Sequence, residues 1–471
     1  MMDCAKFLDQ PSFSLIGNVA DQIGQECYVV GGFVRDKHLG RPIKMDLDFV
    51  TVGSGIELAR AVQKELKPTP KLTVFKSFGT AHMKYNGIDL EFVGARKESY
   101  RKESRNPVVE NGSLKDDQDR RDFTINAMAI CLNKDRWGEL LDPFDGISDL
   151  DKKRITTPLA PDKTFDDDPL RMMRAVRFAA QLDFRIDAAT LASIRIHANR
   201  ISIVAPERVA VEFNKIMDVP KPSYGLGLLY TSGLLQEVLP ELIALKGIEE
   251  VEGQTHKDNF YHTLEVVDNL AKTSDDLWLR WAALLHDIAK PRTKKFIKPH
   301  GWTFRGHEFL GGKMVPKIFR RLQLPTDSRM KFVVKMVQMS SRPAALVDEK
   351  VTDSAVRRLL FDTGDDIESL MLLCEADLTT KNEKKKRRYL NNFKQVRLKF
   401  KEVEERDHIR NFQPPVSGED IMETFGIGPC REIGQIKEAL KEAILEGEIP
   451  NERNAALAKM KTIAATLGIK Q

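Results

Sequence analysis

Between residues 28 and 51 the chain reads YVVGGFVRDKHLGRPIKMDLDFVT: an apolar run, paired glycines, an Arg-Asp and two aspartates two positions apart. No other stretch restricts the fold as tightly. An extended strand alternates its side chains between two faces, so Asp46 and Asp48 share one side while Met45, Leu47 and Phe49 turn to the core. Two convergent carboxylates favour a hard cation, and magnesium commonly reaches a protein through one or two carboxylates plus substrate phosphates. Gly31 and Gly32 lack the side chains that would hold backbone amides away from a triphosphate, and Arg35 adds positive charge to the same turn. A solitary D-x-D is usually a solvated strand end. The glycines and the Arg-Asp ahead of it favour catalysis, because a purely structural turn requires neither.

A chain of 471 residues, 42% hydrophobic and 30% charged, can hold several globular domains. No apolar run approaches the roughly 20 residues that span a bilayer, and the opening MMDCAKFLDQ lacks the pattern of a signal peptide. Cys4, Cys27, Cys131, Cys374 and Cys430 show no C-x-x-C spacing, which predicts reduced thiols and a cytoplasmic protein. The net charge, 74 minus 69 or +5, is too small to announce a nucleic-acid partner. Local charge says more: KNEKKKRRYLNNFKQVRLKFK at 381–401 interleaves cations with Tyr389, Phe393 and Phe400. It reads either as a stripe that follows an RNA backbone or as a solvated helix face.

Short β-rich runs at 28–30, 47–51, 72–75, 81–85 and 88–93, with a helical patch at 55–66, predict a small α/β domain. From Pro169 onward amphipathic helices follow one another. Breaks rich in proline or turn formers fall near 158–163, 219–222 and 413–418. The polar stretch RKESYRKESRNPVVENGSLKDDQD, with little periodicity, reads as a mobile loop.

Three more segments follow the first block in order: RRDFTINAMA at 120–129, DDDPLRMMRAVRFAA at 166–180 and PERVAVEF at 206–213. Together the four resemble the signature of the class II tRNA nucleotidyltransferases, the CCA-adding enzymes, and of the related bacterial poly(A) polymerases. The resemblance implies an α+β protein: a small mixed α/β nucleotidyltransferase head (1–157), then an all-α neck with the base-reading motif (158–222), an all-α body (223–410) and a tRNA-binding tail (411–471). The implied partners are tRNA, CTP and ATP, with no membrane. Oligomeric state is not legible in the sequence.

By this resemblance an RNA 3′-hydroxyl attacks the α-phosphate of a nucleoside triphosphate, with Asp46 and Asp48 holding two Mg2+ ions. Glu91 corresponds to a third acid of the family; a plain surface strand carboxylate is the other reading. Gly31, Gly32, Arg35 and Asp36 belong to the nucleotide-binding turn, Arg121 would contact phosphate, and Asp122 and Asn126 the sugar. Arg120, Arg121 and Asp122 read equally well as flanks of a helix whose core face is Phe123, Ile125 and Met128. Asp168 before Pro169 also reads as a helix cap. Arg171, Arg174 and Arg177 recur every third residue, a row of cations along one helix side. Family alignment makes Asp168 and Arg171 the pair that accepts cytosine and adenine together, and Arg174 and Arg177 phosphate ligands. Asp167 stands where the family usually has glutamate, a departure that bears on how Arg171 is positioned.

Downstream, FYHTLEVVDNL, RWAALLHDIAKP, FRGHEF and CEADLTTKN supply His262, His286, Asp287, His307 and Asp377. This set resembles the HD metal-dependent phosphohydrolases and implies a second divalent-metal site of unassigned metal. The segment at 416–452 resembles the family's tail, whose helices would grip RNA by shape and backbone. Narrower alternatives are an enzyme that adds only the terminal A, or a poly(A) polymerase; FGTAHMKY at 78–85 favours the CCA-adding branch. An alternative of another class is an HD hydrolase whose head merely binds RNA.

Overall fold

The computed structural model describes residues 3–43, 46–101, 104–348, 352–380, 382–410 and 412–469. It divides into two compact units, Met1–Pro240 and Glu241–Gln471. Met45, expected in the core, and Lys381, at the start of the basic stretch, lie outside the described residues.

The first unit is built on a mixed sheet. Its strands are β1 (Glu26–Val30), β2 (Asp46–Val52), β3 (Leu72–Phe75), β4 (Thr80–Tyr85), β5 (Ile88–Gly94), and two that the sequence pattern does not predict, Ala129–Cys131 and Leu140–Leu141. They lie in the order β3, β4, β5, β2, β1, then these last two, with β2 and β5 parallel and the other pairs antiparallel. Period-two alternation sends Leu47 and Phe49 to one face, where Phe49 stacks on Phe92 at 5.2 Å and meets Phe13 at 6.1 Å. Phe13 comes from α1 (Pro11–Gln22), which covers this face together with α3 (Gly55–Glu65); between them in the chain runs α2 (Gly32–His38). The opposite face carries Tyr28, Val30 and Val50 in a core with Leu114, Ala129 and Cys131, all buried. Asp46 and Asp48 emerge on that second face at the start of β2.

Two local expectations are corrected. The polar stretch read as a mobile loop pairs its backbone as a hairpin of β6 (Arg96–Arg101) and β7 (Ser104–Asn111), followed by α4 (Leu114–Asp119) with a Ser113–Asp116 capping box. Most of these residues are charged or polar, so the apolar alternation that betrays a strand is missing although the ladder forms. The helix offered as one reading of RRDFTINAMA does not form: a 3₁₀ turn at Thr124–Asn126 leads into the strand Ala129–Cys131. Phe123, Ile125 and Met128 are fully buried all the same.

Helices, among them Pro161–Asp167, Leu170–Leu182 and Pro206–Met217, complete the first unit with one short parallel pair, Arg154–Ile155 and Arg185–Ile186, so the neck expected to be all-α carries a two-residue strand. Among its described residues the second unit is helical apart from two small hairpins, Glu250–Val251 with Gln254–Thr255 and Lys295–Ile297 with Gly301–Thr303. Its last helices, Gly418–Phe425, Arg431–Glu446 and Arg453–Thr466, enclose a small core of Ile421, Ile436, Leu440, Ala456 and Met460. Among the described residues no helix is long and apolar enough to cross a membrane.

Candidate functional sites

A cavity in the first unit gathers Gly31 from the turn after β1, Gly32, Arg35 and Asp36 from α2, Asp46 and Asp48 from β2, and Arg121, Asp122 and Asn126 from the segment before the strand Ala129–Cys131. The arginine helix Leu170–Leu182 closes it with Arg174, Arg177, Phe178 and Gln181. Gly31 adopts φ +73°, and a Cβ there would lie 3.3 Å from the Arg121 guanidinium and 3.5 Å from Asp48 Oδ2. The glycine therefore supplies both a left-handed turn and the clearance for charged groups to meet. Burial pushes the Asp48 carboxyl up to about 6; Arg121 opposes this, while Asp46 and Glu91 add to it.

The cavity wall is a relay of charge-assisted hydrogen bonds. Arg35 forks onto Asp36 at 2.8 and 2.9 Å and donates to Asn126 Oδ1 at 2.7 Å. Asn126 donates to Asp122 at 3.0 Å, and Asp122 accepts both Nε and a terminal nitrogen of Arg174 at 2.7 and 2.6 Å. Burial opposes the charge on Asp122, but Arg174 outweighs it and, with the Asn126 hydrogen bond, holds the carboxyl at about 2. Arg121 is fixed by buried Asp117 at 3.0 Å and donates to the Asn126 carbonyl at 3.2 Å. Arg177 pairs with Glu212 of the PERVAVEF helix at 3.1 Å and lies 4.0 Å from the Phe178 ring centre. Burial lowers the Arg177 guanidinium to about 10 against the pull of Glu212. Arg35 and Arg174 also approach the Phe178 ring, at 5.1 and 5.4 Å. Nothing in the sequence singled out Phe178, Gln181 or Glu212; only the helical steps from Arg174 to Phe178 and Gln181 hint at a shared face.

Three expected site residues are not in this lining. Glu91 sits on β5 in register with Asp48, so it shares the face but not the cavity wall. Asp168 accepts the Leu170 amide at 3.1 Å and helps start the arginine helix. Arg171 is buried, donating to the Arg120 carbonyl at 2.5 Å and the Thr164 carbonyl at 3.4 Å. The expected single row of arginines is a fan. Each three-residue step falls about 60° short of a full turn, so the three spread over about 120° and only the latter two face the cavity.

The second unit assembles the other set. His262, His286 and Asp287 offer ligand atoms within 4.8 Å of one another, all from buried residues. His262 Nε2 lies 2.8 Å from Asp377 and 3.6 Å from Asp287; His307 Nε2 lies 3.4 Å from Asp287. The helix Asn259–Ala271 carries His262, His286 caps Leu277–Leu285, and His307 opens His307–Arg321. His286 donates Nδ1–H to the Ala283 carbonyl at 2.7 Å, which turns Nε2 into the cluster, 3.3 Å from Asp287 and 3.7 Å from Asp377. Burial disfavours the imidazolium, yet Asp287 and Asp377 push His286 up to about 10. A nest of imidazoles and carboxylates that so favours positive charge fits a divalent cation.

A cavity of glycines, carboxylates and arginines on a mixed sheet, joined in one chain to a His/Asp cluster on helices, defines a nucleotidyltransferase with an HD-type domain. Residues 27–156 match the poly A polymerase head domain, 183–246 the probable RNA and SrmB-binding site of polymerase A, and 259–380 the HD domain. The multifunctional CCA protein of Pseudomonas paraeruginosa is 34% identical over 64% of this chain and 71% of its own length. The A-adding tRNA nucleotidyltransferase of Deinococcus radiodurans is 32% identical over 73% of this chain and 78% of its own. That of Aquifex aeolicus reaches 47%, over 35% of this chain but only 19% of its own length. Among solved structures, a tRNA nucleotidyltransferase complexed with a primer tRNA and an incoming ATP analog is 26% identical, with a TM-score of 0.57 over 81% of this chain and 99% of that one. This chain belongs to the CCA-adding tRNA nucleotidyltransferase family of the poly(A) polymerase superfamily, and it carries an HD domain.

Proposed function

We propose that this enzyme completes the 3′ end of tRNA by adding C, C and A in turn from CTP and ATP, without a template. The observation that carries this reading is the cavity that brings Asp46 and Asp48 beside Gly31, Arg121 and Arg174. In each cycle the 3′-oxygen of the RNA bonds to the α-phosphorus, the bond to the β-phosphate bridging oxygen breaks, the hydroxyl proton leaves, and pyrophosphate departs. Asp46 and Asp48 fit Mg2+, since both offer hard carboxylate oxygens from one face of a strand. When bound, two such ions supply positive charge to the attacking oxygen and to the leaving phosphate. Glu91 adds negative charge from the neighbouring strand. The Gly31 turn admits the triphosphate, Arg121, Arg174 and Arg177 neutralise it, and Asp122 with Asn126 holds the sugar. Arg35 and Asp36, already paired, brace the wall.

Base choice falls to Asp168 and Arg171. Cytosine and adenine each present an amino donor beside a ring-nitrogen acceptor, which one carboxylate and one guanidinium match; uracil and guanine present the reverse. Arg171 must then exchange the Arg120 and Thr164 carbonyls for the incoming base. The division into head (1–157), neck (158–222), body (223–410) and tail (411–471), and a cytoplasmic setting for the five free cysteines, belong to the same proposal. The HD centre, with one divalent metal on His262, His286, Asp287, His307 and Asp377, is proposed as a separate phosphohydrolase.

A narrower reading, addition of A alone, draws on the A-adding relatives. Transcripts ending before the first C, after it, or after the second C, incubated with labelled CTP and ATP, separate the readings. Incorporation of two C and one A on the shortest transcript is expected. Absence of CTP incorporation there selects the A-adding reading, and unlimited A tails select a poly(A) polymerase.

A further inference from the structure

The helix Glu383–Asp407 treats its cations in two ways along its length. In the C-terminal half they are neutralised by the protein: Arg397 pairs with Glu368 and Glu375, Lys399 with Asp353 and Glu402, and Arg406 with Asp353 and Asp407. In the first two turns Lys384, Lys385, Arg387 and Arg388 are exposed, and among the described residues no carboxylate pairs with any of them.

Their position works against the fold. The N-terminus of a helix carries the positive end of its dipole, so cations there are disfavoured, and like charges three and four residues apart repel. Lys384 faces Arg387 and Arg388 at those spacings, and Lys385 faces Arg388. Packing does not explain them either. The helix is anchored by Phe393, Val396, Phe400 and Val403, all buried, which place Lys384, Arg387, Arg388 and Lys394 on the side away from the core. The same anchoring removes Phe393 and Phe400 as stacking platforms; Tyr389, 5.7 Å from Lys385 and 5.4 Å from Arg388, is the aromatic left beside the charges.

We infer that Lys384, Arg387, Arg388 and Lys394 form a surface for the phosphate backbone of RNA, the helix N-terminus adding to their field. An extended polyanion is the partner that relieves this arrangement: its phosphates recur along the strand as these cations recur along the helix. Such contacts carry no base sequence and so accept every tRNA. The inference rests on tRNA being the substrate.

The test is the full-length enzyme carrying K384A, R387A and R388A, compared with the unaltered protein by fluorescence anisotropy on one labelled tRNA transcript across a salt series. Each lost phosphate contact removes about 0.7 to 0.9 from the slope of log affinity against log salt. The slope is expected to fall by about 2 or more, and Kd in about 0.1 M salt to rise at least tenfold. In turnover, KM for tRNA should rise while KM for CTP and the maximal rate hold. A slope changed by less than one, with normal folding by circular dichroism, overturns the inference. The charge-reversed K384E/R387E variant must bind more weakly than K384A/R387A; equal binding of those two likewise overturns the inference. Failure of the unaltered enzyme to extend tRNA would instead defeat the substrate reading, an outcome recognisable before any variant is made.

Discussion

Asp122→Asn probes the relay that shapes the cavity proposed to hold the nucleotide. The Asp122 carboxylate is buried and accepts Arg174 at 2.7 and 2.6 Å, Asn126 at 3.0 Å and the Phe123 amide at 2.9 Å. These contacts, led by Arg174, overcome burial and hold the carboxyl at about 2 instead of 3.8. Because the folded value is depressed, the stabilisation is complete above about pH 4 and is lost as pH falls toward 2. At neutral pH it is fully in force, and the difference corresponds to about 2.5 kcal/mol. Asparagine keeps the shape, and Arg174, a third exposed, can turn partly to water, so the expected loss is about 1 to 2.5 kcal/mol. Two buried thiols report on this unit separately from the other: Cys27 on β1 and Cys131 on the neighbouring strand react with a thiol reagent only when the sheet opens. Pulse labelling with peptide mass spectrometry at pH 7 should show both reacting about 5 to 60 times faster in the variant. Cys374 of the second unit should be unaffected. Labelling of Cys27 and Cys131 within twofold of the unaltered protein would refute the assigned strength of the Asp122–Arg174 pair.

Three further outcomes are expected. Gly31→Ala forces a side chain into a φ of +73° and against the Arg121 guanidinium, so KM for CTP should rise at least tenfold in steady-state assays; an unchanged KM would remove the turn from the nucleotide site. Asp287→Ala should strip divalent metal from the purified protein, measured by elemental analysis, without loss of nucleotide addition; retained metal would refute the HD ligand set. Phe49→Ala, which empties a fully buried site stacked on Phe92, should cost about 3 to 5 kcal/mol and accelerate Cys27 labelling at least a hundredfold, and a smaller change would deny it a central place in the core.

The head was legible because its strands advertise themselves locally. β2 and β5 alternate apolar and acidic residues at period two, and the five strand segments and one helix expected there all form, with ends within a few residues of those the pattern predicts. The hairpin of β6 and β7 was not legible, since its pairing is a backbone property that charged side chains do not signal. The short strand Ala129–Cys131 was hidden for another reason: buried beside β1 on its Tyr28–Val30 stretch, it has too few residues to show a period.

Site residues divide along the same line. Asp46, Asp48, Gly31 and Gly32 are neighbours in sequence, and strand geometry alone brings them together. Partnerships between distant segments left no local trace: Arg35 with Asn126, 91 positions apart; Arg174 with Asp122, 52 apart; Arg177 with Glu212. In the arginine helix a three-residue repeat suggests equivalence, yet the 60° shortfall per step, about the offset expected of any α-helix, hands each arginine a different partner: carbonyl groups for Arg171, a buried carboxylate for Arg174, and both a carboxylate and an aromatic face for Arg177. Arg171 is the member held by neutral acceptors. Exchanging a carbonyl for a base leaves no carboxylate stranded in the interior, whereas moving Arg174 would strand Asp122. The weaker tether therefore falls on the residue assigned to exchange partners with each nucleotide, and the stronger ones on those that keep the cavity in shape.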